Sequence, residues 1–238
     1  MFREEKPLII ILDFDGIYGE QYYLSSLGRV IDLRKVDGVK FMCFPSKLCE
    51  IDDLIPKRQK LICFLGGGEY HHFSLLFLRR ISFPFVLLLF DKHFDALKRE
   101  DNFIRCDSWI RDALGLKNLF KLVFICKAEV RRDKICFLPP DPSKLSNLIK
   151  GKQVYISIDK DVLDLPLTRW GRGWLSLDEL LNLLISISRE KIIGVDICGE
   201  PDKLELWKIP QSERINLLIL KALGVVIPDN VITSIKIA

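Results

Sequence analysis

Acidic and imidazole side chains follow two apolar runs of this sequence at regular spacing. Asp91, His93 and Asp95 alternate after one run, and Asp159 and Asp161 alternate after another. In an extended segment alternate residues share one face, so each group presents its side chains together. Carboxylates and imidazoles grouped in this way are typical metal ligands.

A glycine turn supplies the remaining imidazoles. The glycines at 66–68 permit a tight turn, and His71 and His72 fall in the first turn of the helix predicted after them. With His93 they are the three histidines of the chain, so chemistry that needs imidazole must use them. The turn is no phosphate-binding loop, because no Gly-Lys-Ser/Thr follows it.

Four aspartates and two histidines at one rim would carry about −4 and would repel one another. Two divalent cations would neutralise such a cluster, and its donors suit Mn²⁺ or Mg²⁺ better than Zn²⁺. Paired metals that share carboxylates also generate hydroxide near neutral pH. A single Asp after a strand more simply caps a helix or forms a turn. The combination of motifs, rather than any one of them, predicts the two-metal site.

The elements that must position these residues alternate along the chain. Apolar runs predict strands over 7–12, 39–44, 60–65, 85–90, 119–126, 153–158 and 191–197. Helical periodicity predicts helices over 48–54, 69–80, 108–114, 142–150, 176–189 and 211–223. Continuously apolar strands indicate burial on both faces, and strand-then-helix order indicates a parallel sheet covered on both sides. Ligands bind beyond the carboxyl ends of such strands, where the motifs lie.

Length, composition and charge limit the class of protein and the kinds of partner that are possible. The chain has 238 residues, of which 49% are hydrophobic and 29% charged, which excludes a disordered chain. We expect one α/β domain over residues 1–238. The net charge of +4 is too mild to indicate nucleic acid, and the apolar runs are too short to span a membrane. The sequence is compatible with a homo-oligomer as well as with a monomer.

The seven cysteines are scattered singly, with no Cys-x-x-Cys pair. This pattern disfavours zinc ribbons and redox centres and indicates reduced thiols, which predicts a cytoplasmic protein. Thr is scarce, whereas Lys, Arg, Glu, Ile and Leu are abundant. That bias is typical of a thermophile.

The order of the motifs resembles that of the ureohydrolases, the family of arginase, agmatinase and formiminoglutamase. The resemblance covers residues 64–201, more than half of the chain, and is nearest to a short arginase-like branch. It implies a three-layer α/β/α fold with a mainly parallel sheet. The matching segments are Gly67-Gly68-Glu69-Tyr70-His71, Asp91-Lys92-His93-Phe94-Asp95, Ser157-Ile158-Asp159-Lys160-Asp161 and Gly194-Val195-Asp196-Ile197.

The resemblance also implies a site with two Mn²⁺ ions and a role for each ligand. One ion would be held by His71, Asp91, Asp95 and Asp159. The other would be held by Asp91, His93, Asp159 and Asp161, so that Asp91 and Asp159 bridge. A hydroxide between the ions would attack a planar C–N carbon such as a guanidinium, and Asp95 would help to pass a proton to the leaving amine.

The chain departs from arginases in ways that bear on its substrate. Arginases place a shuttle His between the second and third motifs, but no His lies between Asp95 and Asp159. Their guanidinium-binding Glu would fall at Gly199, and Glu200 takes that role only if the backbone bulges. His72 is either an acid–base catalyst or a packing residue. A small-molecule substrate that is guanidino or related, but not arginine, is therefore predicted.

Two other functions compete with this one. The segment Asp13-Phe14-Asp15-Gly16 after a strand resembles haloacid-dehalogenase phosphatases, in which Asp13 would be the nucleophile and Asp15 the acid. That resemblance is weakened by Ile17, where the family has Thr or Val, and it leaves the histidine motifs unexplained. The missing shuttle His instead favours a non-catalytic binding or assembly module that keeps the metal-stabilised fold.

Three basic residues lie near the motifs. Lys92 and Lys160 each lie between two ligand candidates, and alternation points them away from the ligands, so ion pairs are predicted rather than catalysis. Arg172, in a loop with glycines on both sides, either receives a substrate carboxylate or phosphate or belongs to a surface turn.

Overall fold

The protein is built around one large sheet in which almost every strand is parallel to its neighbours. The structure, a computed structural model, describes residues 7–57, 60–98 and 100–236. The strands are β1 Leu8–Asp13, β2 Arg29–Asp32, β3 Met42–Cys43, β4 Leu61–Phe64, β5 Phe85–Phe90, β6 Ile104–Arg105, β7 Leu119–Ile125, β8 Val130–Arg132, β9 Ile135–Leu138, β10 Gln153–Asp159 and β11 Ile192–Cys198.

Helices cover both faces of the sheet. The α-helices are α1 Tyr22–Leu27, α2 Pro45–Asp52, α3 Ser74–Arg79, α4 Trp109–Leu114, α5 Pro142–Leu148, α6 Leu177–Ser186, α7 Ile209–Ala222 and α8 Asp229–Ser234. Short 3₁₀ helices occupy Ile17–Glu20, Gly68–Phe73, Lys160–Val162, Arg189–Lys191 and Leu206–Lys208. No helix among the described residues is both long and apolar enough to cross a membrane.

The strand order in the main sheet is β2-β1-β4-β11-β10-β5-β7-β9-β8, and among the described strands of this sheet only the edge pair β8–β9 is antiparallel. Alternate residues of β1 enter opposite halves of the core: Ile9 and Ile11 pack on one face, and Ile10 and Leu12 on the other. The first half contains α1 and α5–α8, and the second contains α2–α4. This arrangement confirms the predicted three-layer α/β/α fold with a mainly parallel sheet.

Local differences from the sequence prediction have simple causes. The prediction of a strand over 39–44 in the main sheet was wrong. Only Met42–Cys43 forms a strand, and it pairs antiparallel with β6 in a separate sheet. Strands β2 and β8 were missed because they are largely exposed and so lack an apolar run. The helix predicted over 69–80 begins as the 3₁₀ turn Gly68–Phe73 before α3, a common way for a helix to start.

Candidate metal centre

Four neighbouring strands deliver the predicted site residues to one edge of the sheet. Strands β4, β11, β10 and β5 are adjacent and parallel, so their carboxyl ends meet. Continuous burial fixes these strands in the centre of the sheet. The polar residues that follow them therefore converge at one rim, as the sequence predicted.

The inner part of this rim is centred on His71, which is fully buried. Its Nδ1 atom lies 3.2 Å from Asp91 Oδ2, 3.6 Å from Asp95 Oδ2 and 3.7 Å from Asp159 Oδ2. The ligand atoms of His71, Asp91 and Asp95 all lie within 4.8 Å of one another, close enough to hold one metal ion. The structure thus brings together the four residues predicted for the first ion.

The outer part of the rim contains His93, whose side chain is half exposed. His93 Nδ1 lies 2.9 Å from Asp161 Oδ2 and 4.0 Å from Asp91 Oδ1. The backbone N–H groups of Lys92 and His93 donate to Asp161 Oδ1 and Asp91 Oδ1 at 3.1 and 2.7 Å, which fixes both carboxylates. Asp91, His93 and Asp161 form a second group that could hold a metal ion.

Ligand-bearing atoms in the inner cluster lack protein partners. His71 Nδ1 and Asp91 Oδ2 are buried and make no hydrogen bond within the described part of the chain. Burial raises the pKa of Asp91 well above its usual range. Burial, followed by the charge of Asp161, raises the pKa of Asp159 to about 7. Converging lone pairs with uncompensated negative charge fit a divalent cation, and the oxygen-rich donor set fits Mn²⁺ or Mg²⁺.

Hydroxyl groups behind the rim orient the inner histidine. His71 Nε2 is 2.9 Å from Ser157 Oγ, and Ser157 Oγ donates to Asp196 Oδ1 at 2.7 Å. Ser74 Oγ also donates to Asp196 Oδ1, at 3.0 Å. Asp196 therefore lies behind the ligands rather than among them. Hydrogen bonds of this kind fix which imidazole nitrogen faces a metal. Ser157 belongs to a motif identified in the sequence, whereas nothing in the sequence indicated a role for Ser74.

Cys198, at the end of β11, is a site residue that the sequence analysis missed. Its sulfur and the ligand atoms of His71 and Asp159 lie within 4.8 Å of one another, and all three residues are buried. Burial, followed by the charge of Asp159, raises the pKa of the Cys198 thiol well above its usual range. The sequence feature that could have identified Cys198 is its position two residues after Asp196, which places both residues on one face of the strand.

A cavity of about 490 Å³ opens onto the rim. This volume suits a small molecule. Acidic, aromatic and apolar groups line it: Gly68, Asp91, Lys92, His93, Phe94, Asp95, Leu97, Cys106, Asp107, Asp159, Asp161 and Trp170. Trp109 Nε1 donates to Asp95 Oδ2 at 3.3 Å and so holds that carboxylate at the cavity wall.

Glu200 lies on the other side of the same loops, outside the lining that the described residues form. Its Oε1 accepts from Lys160 Nζ at 2.6 Å, and its Oε2 accepts from Gln21 Nε2 at 2.6 Å. Lys160 Nζ also donates to Ser212 Oγ at 2.6 Å and Asn216 Oδ1 at 2.8 Å. All five residues are buried. The geometry thus holds Glu200 away from the position at which it was predicted to meet substrate. The predicted ion pair of Lys160 is confirmed, whereas Lys92 Nζ donates to the carbonyl oxygen of Trp170 at 2.8 Å instead of to a carboxylate.

His72 is also outside the cavity lining that the structure describes. It is fully buried, and its ring packs on Phe73 with centroids 4.4 Å apart. Burial lowers the pKa of His72 to about 3, which keeps the ring neutral. The geometry therefore favours the packing role among the two that the sequence left open.

The remaining candidates form local structure. Asp13 Oδ1 accepts from the N–H of Gly16 at 2.8 Å, and Asp15 Oδ1 accepts from the N–H of Ile17 at 3.1 Å, so both close a turn. Arg172 is exposed and pairs with Asp164. Arg172 therefore lies in a surface ion pair and is not among the described residues that line the cavity.

Known structures share this architecture. Formimidoylglutamase from Bacillus subtilis superposes with a TM-score of 0.61 at 17% identity, covering 93% of this chain and 89% of that one. Entamoeba histolytica arginase, solved with L-ornithine, gives a TM-score of 0.63 at 13% identity, covering 94% and 100%. A triple mutant of a T. brucei arginase-like protein, solved with Mn²⁺, gives 0.58 at 18%, covering 93% and 92%. The chain therefore has the arginase-like fold of these structures, the fold that the resemblance of its motifs implied.

One relative is much more similar in sequence. The chain is 47% identical over 218 residues to a Thermotoga maritima protein described as uncharacterized, covering 91% of this chain and 90% of the relative. The chain belongs to the same family as that protein. No model of a protein family matches the sequence.

Proposed function

We propose that the protein is a hydrolase of linear C–N bonds that depends on two Mn²⁺ ions and acts on a guanidino or related small molecule. The observation that carries this proposal is the buried rim in which His71 Nδ1 and Asp91 Oδ2 converge without hydrogen-bond partners among the described residues. The solved structures above share the arginase-like fold, and one of them, the T. brucei arginase-like triple mutant, was solved with Mn²⁺.

Each ion has a ligand set in this proposal. The inner ion is held by His71, Asp91, Asp95 and Asp159, and the outer ion by Asp91, His93, Asp159 and Asp161. Asp91 is placed to bridge, because its Oδ2 lies 3.2 Å from His71 Nδ1 and its Oδ1 lies 4.0 Å from His93 Nδ1. Asp159, whose Oδ2 lies 3.7 Å from His71 Nδ1, would be the second bridging residue, as the resemblance implies. Bound there, the ions would activate water for attack on a planar C–N carbon.

The chain itself contributes proton transfer and positioning. Asp95 lines the cavity and is the least buried of the inner carboxylates, so it is the group that would pass a proton to the leaving amine. Trp109 keeps that carboxylate oriented through the 3.3 Å hydrogen bond. Trp170 also lines the cavity, and an aromatic side chain there would limit access of bulk water to the reacting carbon.

The substrate is not arginine in this proposal. The residue three positions after Asp196 is Gly199, and the neighbouring Glu200 is held by Lys160. The carboxylate that could replace the guanidinium-binding Glu of arginases is therefore already paired. The sequence also lacks a His between Asp95 and Asp159 that could act as proton shuttle.

An assay of product release tests the proposal. Protein reconstituted with Mn²⁺ is incubated with guanidino acids, guanidino amines and formimidoyl amides, and urea, ammonia and formamide are measured. We expect turnover of at least one compound, its loss in Asp159→Ala, and retention in Asp13→Asn. Two bound ions without any turnover would favour the non-catalytic binding module. A phosphatase activity that Asp13→Asn abolishes would favour the haloacid-dehalogenase alternative.

The proposal also covers the cellular environment, the source and the partner of the protein. All seven cysteines are free thiols, which supports a reducing, cytoplasmic environment. The composition rich in Lys, Arg, Glu, Ile and Leu supports a thermophilic source. The partner we propose is the small-molecule substrate, with neither nucleic acid nor a membrane involved.

A further inference from the structure

We propose that Cys198 is a direct ligand of the inner metal ion, so that this position accepts softer ions such as Co²⁺ and Zn²⁺ as well as Mn²⁺. The inference rests on the proposed two-metal centre and adds to it a donor of a different chemical type. The sulfur would join His71 and Asp159, the two residues whose ligand atoms lie within 4.8 Å of it.

The fold places this thiol at the rim by strand register. Cys198 is the last residue of β11 and pairs directly with Asp159, the last residue of β10. The next residue, Gly199, has a φ of 82°, and a Cβ there would lie 2.4 Å from Asp159 Oδ1. The backbone after Cys198 is therefore pressed against Asp159, which fixes the distance between the two donors.

Two further observations separate Cys198 from an ordinary buried thiol. His71, a member of the same group, is fully buried, and its Nδ1 makes no hydrogen bond within the part of the chain described, so this imidazole still requires a partner. Cys63 and Cys136, by contrast, each place Sγ 3.8 Å from the carbonyl of the next residue and belong to no potential metal group among the described residues.

The donor set decides which ions the two positions prefer. The outer group contains two carboxylates and one imidazole, which suits a hard ion such as Mn²⁺. A thiolate beside His71 shifts the inner position towards borderline ions, because soft ligands select softer metals. On binding, a sulfur–metal bond forms and the thiol proton leaves to solvent.

Spectroscopic titration with Co²⁺ tests the assignment without any measurement of activity. Metal-free protein is titrated with Co²⁺, and the near-ultraviolet charge-transfer absorption of a cobalt thiolate is recorded. We expect this band in the unchanged protein and its loss in Cys198→Ser and Cys198→Ala. The Kd for Co²⁺ should rise about tenfold or more in both variants, with a smaller rise for Mn²⁺.

Two control variants show which thiol is responsible. Cys63→Ser removes a buried thiol on the neighbouring strand, and Cys106→Ser removes the thiol that lines the cavity. Both variants should keep the band. Bound Co²⁺ without the band in the unchanged protein would overturn the ligand assignment but leave the two-metal centre. Loss of the band in Cys106→Ser would assign the ligand to that residue instead. Failure of Co²⁺ and Mn²⁺ to bind at all would overturn the proposed function as well.

Discussion

The loops after β10 and β11 support two polar clusters that differ in one respect. On the cavity side, Asp159 and Asp161 join His71, His93 and other carboxylates in a rim where buried donor atoms lack hydrogen bonds. On the opposite side, Lys160 enters a buried cluster in which its ammonium meets three acceptors. Alternate residues of one short segment thus serve two different purposes.

The difference lies in how the charge is balanced. Glu200 and Lys160 neutralise each other, and hydroxyl and amide groups satisfy their remaining atoms, as a buried ion pair requires. The rim has an excess of carboxylates: burial, followed by the charge of a neighbouring carboxylate, raises the pKa values of Asp91 and Asp159. The balanced cluster holds the loops together, and the unbalanced one is suited to bind cations.

The largest expected effect comes from removing a bridging carboxylate. Asp91→Ala and Asp159→Ala should lower Mn²⁺ affinity by about 100-fold or more, because each removes ligands from both ions. Isothermal titration calorimetry measures this loss. Asp107→Ala is the control, since Asp107 lines the same cavity but is paired with Arg105, and its affinity should not change. Equal losses in all three variants would contradict the ligand assignment.

Lys160→Met should act on stability instead. It leaves the Glu200 carboxylate buried without its cation, so the free energy of unfolding of the metal-free protein should fall by about 3–5 kcal/mol. Urea denaturation measures it. Lys92→Met is the matched control, because Lys92 also lies between two ligands but donates to the exposed carbonyl of Trp170. Its cost should stay within about 1 kcal/mol, and a similar loss in both variants would refute the distinction between the clusters.

Gly199→Ala probes the segment that joins the two clusters. Both Gly199 and Gly151 have positive φ, but only Gly199 has an atom within 4 Å of an added Cβ. Gly151→Ala should cost about 1–2 kcal/mol through its backbone conformation. Gly199→Ala should cost a further 1–3 kcal/mol, roughly the penalty of overpacking, and should weaken Mn²⁺ binding by displacing Asp159. Thermal denaturation with and without Mn²⁺ compares the two; equal effects would show that this contact is unimportant.

The smallest effect is expected outside both clusters. Arg172 forms an exposed ion pair with Asp164, and such pairs contribute little. Arg172→Ala should leave Mn²⁺ binding, and the KM of any substrate found in the assay above, unchanged within error. A large rise in KM would revive the role of Arg172 as a receptor for a substrate carboxylate or phosphate.

Much of the fold and rim followed from the sequence because two periodic rules held. Buried parallel strands are continuously apolar, which located β5, β10 and the other central strands. Alternation at the strand ends correctly separated Asp159 and Asp161 from Lys160. Short exposed strands such as β2 carry no such pattern, so they could be found only from their pairing with β1.

Long-range polar contacts explain what the sequence did not reveal. Glu200 is held by Lys160, Ser212 and Asn216. These partners come from the end of another strand and from α7, so no local sequence pattern predicts them. Cys198 resembles a core residue in the sequence, because only the register with Asp159 brings its sulfur to the rim. The positive φ of Gly199, which lies between Cys198 and Glu200, could not be predicted from the sequence either.

The count of bound metal ions tests the central claim most directly. The protein is stripped with a chelator, reconstituted with excess Mn²⁺ and desalted, and metal and protein are then quantified by elemental analysis. The two ligand groups around His71 and His93 predict close to two ions per chain. Fewer than one ion per chain in the unchanged protein would contradict the account.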